Sequence, residues 1–290
     1  MLPPPFLLAA LADPPSLEAV DRSWAVCDDQ ASTTVEALID GHDALLIGEM
    51  HGTAEMPAML AKIVDAAARR KERVVLALEY EAEDQAAIDA FVADEDAPFP
   101  FDTQDGRSSG AMADMLRRVA KTAQREGTVT VAAVDTWPKR GTTPYDAPWL
   151  PGEIDAVWSQ RDIGMGQLAL AACAARDCDL LIYYAGNMHT RRRPATGGWR
   201  NGRTGEVVSY LAAPAGYVID HDRDAVAINL VHRGGAIKAK AGDEARFGVH
   251  RYRPSAPTHA EEDGVPYCAA GSAVYDYVLS VGTLTASARR

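Results

Sequence analysis

Two histidines in this chain follow a glycine at the same spacing, in Gly48-Glu49-Met50-His51 and in Gly186-Asn187-Met188-His189. Imidazole exchanges a proton near neutral pH and ligates metals. A glycine ahead of it lets the chain turn sharply. Glu79 follows the apolar run 73–78, and Asp135 follows the apolar run 128–134. Histidines and carboxylates together suit proton transfer. His51 or His189 would take a proton from water, with Glu49 or Glu79 orienting the water or acting as the base. His51, Glu79 and His189 would also suffice as ligands of an open divalent-metal site (Zn, Mn or Co) that activates water.

These groups are far apart in sequence, so a fold must gather them. The chain alternates apolar, β-branched runs with stretches of helical period. Strands are expected at 43–48, 73–78, 128–134, 179–185, 225–231 and 274–281. Helices are expected at 55–70, 83–92, 109–126, 153–175 and, shorter, 204–212. The segments 94–110 and 136–152 read as long loops, and 234–271 as polar, irregular edge decoration. This alternation predicts an α/β fold with a central, mainly parallel sheet, helices on both faces and an irregular C-terminal decoration. In such sheets ligands bind beyond the carboxyl ends of the strands. The four strand ends carrying His51, Glu79, Asp135 and His189 would then share one rim.

Arg161 joins them by a helical argument. On a helix over 153–175, Ile154, Val157, Trp158, Met165, Leu168 and Ala172 fall on one face with Arg161 near its centre, whereas Ile163 and Leu170 lie opposite. A buried guanidinium must be paired, so Arg161 is expected to meet a rim carboxylate or a substrate oxyanion. Arg191, Arg192, Arg193, Arg200 and Arg203 form either a basic loop or an attraction for anionic substrates. Asp220-His221-Asp222 reads as a turn, and Gly164-Met165-Gly166 lies inside a helix, where it is no dinucleotide loop. No G-x-S-x-G, Walker or H-E-x-x-H pattern occurs.

The chain has 290 residues and a formal charge of −12, which disfavours nucleic acid as a main partner. No run has the length of a transmembrane segment. The expected organisation is a tail or signal-peptide remnant over 1–20, followed by one domain over 21–290. Phe6 to Ala12 has the apolar character of a secretory signal but lacks a basic start. Cys27, Cys173, Cys178 and Cys268 could form two disulfides in a periplasmic or secreted protein, or stay as four thiols in a cytoplasmic one.

The segments LLIGEMHGTAEMP, VVLALEY, SQRDIGM and YYAGNMH resemble a superfamily that includes the Tiki metalloproteases, the erythromycin esterases and the ChaN-like haem-binding proteins. Its marks would be Gly48 to His51, Gly186 to His189, Glu79 and Arg161 here. Asp162 stands where the family often has asparagine. The blocks are scattered between residues 44 and 190. The resemblance implies an α/β sheet flanked by helices and leaves several activities open. One is a hydrolase of ester, lactone or peptide bonds, metal-assisted or metal-free. The other is a haem- or iron-binding protein with Tyr80, Tyr183, Tyr184 or a rim histidine as axial ligand. The partner would be a small molecule, a peptide or haem.

Overall fold

The computed structural model describes residues 31–94, 97–101, 105–138, 145, 147–200, 207–241, 246–256, 262–269, 272 and 274–288; in strands its side chains are not described at 197–200, 207–209, 240–241 and 246–247. Cys27, Arg203, the side chain of Arg200 and the expected tail over 1–20 lie outside this set.

Four strands of near-continuous apolar sequence carry the site: β1 (Ala44–Glu49), β2 (Val74–Glu81), β3 (Val129–Asp135) and β4 (Leu180–Gly186). With β7 (Ala225–Val231), β10 (Pro266–Cys268) and β11 (Tyr277–Ser280) they make a seven-stranded sheet in the order β10-β11-β7-β1-β4-β2-β3. All its pairings are parallel except β10 with β11. Strands buried on both faces need apolar residues at every position, and the sequence supplies them. Leu45, Ile47, Leu76, Leu78, Ile182 and Tyr184 pack against α2 (Glu55–Ala68), α3 (Gln85–Ala93) and α4 (Gly110–Glu126). The alternate residues Leu46, Val75, Leu181 and Tyr183 pack against α5 (Gln160–Ala174) and α6 (Ala215–Asp222). The short α1 (Val35–Gly41) starts at Thr34, whose hydroxyl accepts from the Ala37 amide. Helix α4 has both ends fixed locally. Ser109 accepts from the Met112 amide, and Gly127 takes the left-handed turn at φ 71°.

Three expectations are corrected. The helix predicted over 153–175 begins only at Gln160. The Asp155 carboxylate accepts from the amides of Val157 and Trp158, which holds that stretch in a turn. Val157 and Trp158 are therefore exposed, and Arg161 owes its place to the first turn of α5, not to a helix face continued from Ile154. The helix expected over 204–212 is instead the strand β6 (Val207–Ala212), paired antiparallel with β5 (Ala195–Arg200). Its β-branched and aromatic residues suit a strand once a partner is present. The region 234–271 is not irregular throughout. It holds the hairpin β8 (Gly235–Ala241) and β9 (Arg246–Tyr252), in which Ile237 and Ala239 are buried and Ala236 and Lys238 are not. Lys and Ala at alternate positions hid that period of two.

Cys173 and Cys178 are disulfide-bonded, with Cα atoms 5.0 Å apart, and Cys268 is also in a disulfide. The first bridge closes a short loop between α5 and β4. Loop-closure entropy predicts that a Cys173→Ala/Cys178→Ala protein loses about 2 kcal/mol of stability. Urea denaturation under oxidising conditions measures this, and an unchanged midpoint would refute it.

Candidate functional site

Connectivity brings the ends of β1, β2, β3 and β4 to one edge of the sheet, and α5 starts there. Beyond β1 the chain turns through His51 and Gly52. Gly52 has φ 83°, and a Cβ on it would lie 2.3 Å from the Lys238 carbonyl oxygen, so the turn requires glycine. His51 is held from behind. Its Nδ1 lies 2.6 Å from Oε1 of Glu49, whose other oxygen accepts from the Tyr184 hydroxyl at 2.5 Å. The His51 Nε2 faces the opposite way, 3.6 Å from Oε2 of Glu79.

Glu79 is the centre of the arrangement. Oε2 accepts the Gly186 amide at 2.8 Å, and Oε1 accepts Nη2 of Arg161 at 2.8 Å. The Nε2 of His189 lies 3.6 Å from Oε1. Two imidazoles thus flank the two oxygens of one carboxylate. His189 is held at Nδ1 by Asp162, 2.7 Å away, and Asp162 also accepts the Ala215 amide. Arg161 grips Asp135 with Nε at 2.8 Å and Nη2 at 2.7 Å, while its Nη1 lies 3.0 Å from Nε2 of His189. A guanidinium only donates, so the lone pair of Nε2 accepts this bond and the Nδ1 proton goes to Asp162.

All five residues named from sequence, Glu49, His51, Glu79, Arg161 and His189, converge here. Asp135, noted only as a strand end, proves to be their buried anchor. Arg107 was missed. It lies in the segment expected to be a loop, pairs with Asp105 and Asp135, and donates to the Glu79 carbonyl. No local pattern announces it. The one usable signal was stoichiometric, since so many acids at a rim need more than one cation. The other candidates lie elsewhere in the contact network. Arg192 pairs with Asp220 and Asp276, and His221 stacks on Trp149 at 3.8 Å. Arg191 donates to the Met188 sulfur.

Burial opposes a charge on His51, but the charge and hydrogen bond of Glu49, aided by Glu79, outweigh it and lift the pKa to about 9. For Glu79 burial likewise favours the neutral acid. The charges of His51, His189, Arg107 and Arg161 prevail and hold it well below the usual carboxylate range. Such a carboxylate is a poor base and a durable anion. His189 is shifted upward despite burial, through Asp162 and Glu79, with Arg161 opposing.

The resemblance implies a divalent metal or haem, and neither the metal set nor a tyrosine ligand to haem fits. Among the described residues no three His, Cys, Asp or Glu groups are arranged to hold a metal ion. Arg161, a fixed cation, sits between Glu79 and the Nε2 of His189, where such an ion would need to bind. Tyr80, Tyr183 and Tyr184 are fully buried, their hydroxyls engage the Arg107 carbonyl, Met165 and Glu49, and burial pushes all three phenols upward. None is available as a tyrosinate ligand to haem.

No model of a known protein family matches the sequence, and no curated protein matches it. Solved structures do match the fold. A succinoglycan biosynthesis protein shares 9% identity at a TM-score of 0.61, over 88% of this chain and 91% of its own. A protein from Bacillus cereus shares 11% at 0.57, over 87% and 91%. A mutant of the erythromycin esterase EreC, in its open conformation, shares 12% at 0.55, over 87% and 93%. The chain has the α/β fold of these proteins, and the likeness read from its scattered motifs holds at the level of fold.

The His51 shift has a consequence for stability. A group whose pKa rises on folding stabilises fully below its unfolded value, here 6.5, and that contribution is lost as pH rises through about 9. From about pH 6 to 10 the wild-type protein is expected to lose on the order of 3 kcal/mol more than the His51→Ala protein. Urea titrations at each pH measure the difference, and parallel curves would refute the assignment.

Proposed function

We propose that the protein is a hydrolase of ester or lactone bonds, acting through a metal-free His/Glu/Arg site. The observation that carries this reading is the pair of imidazoles whose Nε2 atoms lie 3.6 Å from opposite oxygens of Glu79, with Gly186 facing the gap between the rings. The side chains of His51, His189 and Arg161 are 20%, 19% and 16% exposed, whereas Glu49, Glu79 and Asp135 are at 3%, 5% and 0%. A substrate therefore meets nitrogen groups, with the carboxylates behind them. Such a face suits the oxygen of a carbonyl.

His51 in its neutral form donates Nδ1–H to Glu49 and offers the Nε2 lone pair to water. The water proton passes to Nε2 as its oxygen bonds to the carbonyl carbon. The carbonyl oxygen gains the electron pair and is met by Nη1 of Arg161, which His189 holds in place. When the C–O bond breaks, the leaving oxygen takes the proton back from His51. An alkoxide or phenoxide needs only this one proton. The fold shared with EreC supports the reading. Haem binding is the second reading, and none of the three tyrosines supports it. The Cys173–Cys178 bridge supports a periplasmic or secreted setting. Among the described residues no helix is long and apolar enough to cross a membrane.

Rates on simple esters test the proposal. His51→Ala should lower kcat by about 10²–10⁴-fold. Because the ring is mostly protonated at neutral pH, kcat/KM of the wild type should climb about tenfold per pH unit and level off near 9. Hydrolysis that survives in His51→Ala, or a flat pH profile, would overturn the assignment. Gly186 tests the gap itself. A Cβ there would lie 3.3 Å from Nε2 of His51 and 3.4 Å from Oε2 of Glu79. Gly186→Ala should cut kcat at least about tenfold, since a misplaced reactant loses its approach geometry. Circular dichroism should show the fold retained, and full activity in this variant would place the reacting atoms elsewhere.

A further inference from the structure

Among the described residues the exposed large apolar side chains are Trp137, Val157, Trp158, Met188 and Val249. Scattered apolar residues need no explanation, but a group at one place does. Four of these five lie at the carboxyl edge of the sheet. Trp137 follows β3, Val157 and Trp158 precede α5, and Met188 precedes His189. Val249 alone lies on the β8–β9 hairpin.

Trp137 stands out by its contact. Its ring covers the guanidinium carbon of Arg161 at 4.7 Å, yet the residue is 59% exposed. One face of the indole is therefore spent on Arg161 and the other is open. Arg161 in turn touches Nε2 of His189. Met188, 55% exposed, is the residue before His189. A flat aromatic surface thus flanks Arg161, the donor that would receive a carbonyl oxygen. The cation–π contact holds the ring in place before any ligand arrives. Farther along the same edge Trp158 stacks on Tyr210 at 5.0 Å.

We propose that Trp137 is a specificity-determining residue whose open face stacks the flat group of an aryl ester, with the ester carbonyl beside Arg161 and His189. This rests on the hydrolase reading and names the substrate class of the same site. Aromatic stacking on such a face favours a planar ring over an alkyl chain of similar polarity.

The test compares 2-naphthyl acetate with ethyl acetate in the wild-type, Trp137→Ala and Trp137→Phe proteins. Binding of N-(2-naphthyl)acetamide, an amide in place of the ester, is followed by calorimetry. The ratio of kcat/KM for the naphthyl over the ethyl ester should fall about five- to tenfold in Trp137→Ala and recover largely in Trp137→Phe. The effect should lie in KM, and amide binding should weaken by a similar factor. A ratio that does not change would overturn the proposal, because loss of Arg161 positioning alone lowers both esters alike. Trp137-dependent amide binding without hydrolysis of either ester would keep the aromatic platform and refute the hydrolase. Hydrolysis with amide binding indifferent to Trp137 would do the reverse.

Discussion

The rim is organised by one buried carboxylate. Glu79 is 6% exposed and stays ionised because Arg161, the Gly186 amide and two imidazoles surround it. An uncompensated charge at that depth costs several kcal/mol. The four partners come from three elements: β1 and its turn bring His51, β4 and its turn bring Gly186 and His189, and α5 brings Arg161. Folding that failed to bring any one of them would leave Glu79 with less compensation for its charge. The charge thus selects the register in which β2 lies beside β4 and α5 begins over β3.

The cluster is layered for the same reason. Asp135 is fully buried and shared by Arg107 and Arg161, so both guanidiniums are fixed before a ligand arrives. Buried ion pairs seldom stabilise a fold more than apolar packing would. Their return here is orientation. Arg161 has committed Nε and Nη2 to carboxylates and keeps Nη1 at the gap, beside His189. A preorganised donor of this kind needs no rearrangement when charge develops on a substrate.

The rim residues were legible in the sequence because parallel sheets obey a simple rule. Apolar runs that end in Glu49, Glu79 and Gly186 must deposit their next residues at one edge, and two G-x-x-H turns made the histidines visible. The hidden features were those set by tertiary pairing. Arg107 sits in a stretch with no periodicity, and its role exists only because Asp135 and the Glu79 carbonyl lie opposite. The strand β6 depends on β5, and the hairpin β8–β9 shows its alternation only through which residues are buried. The start of α5 was misplaced because an Asp155 turn and a helix share much the same residue types. Arg161 was still assigned to the rim, though for a different reason from the one the structure gives: the first turn of a helix that begins at the carboxyl edge must lie there.

The two imidazoles are not equivalent, and their surroundings divide the work between them. Each is anchored at Nδ1 by a carboxylate, Glu49 for His51 and Asp162 for His189. Their Nε2 atoms differ. That of His51 has the Glu79 carboxylate as its nearest charge and, among the described residues, no cation at hydrogen-bond distance, so it is free to gain and lose a proton. That of His189 accepts from Arg161, so it can bind a proton only by releasing the guanidinium. Both rings are shifted upward, and what distinguishes them is the Arg161 contact at the Nε2 of His189. In the proposed mechanism His51 is the ring that moves a proton. His189 is the ring that aims Arg161, and through it the charge that a carbonyl oxygen would meet.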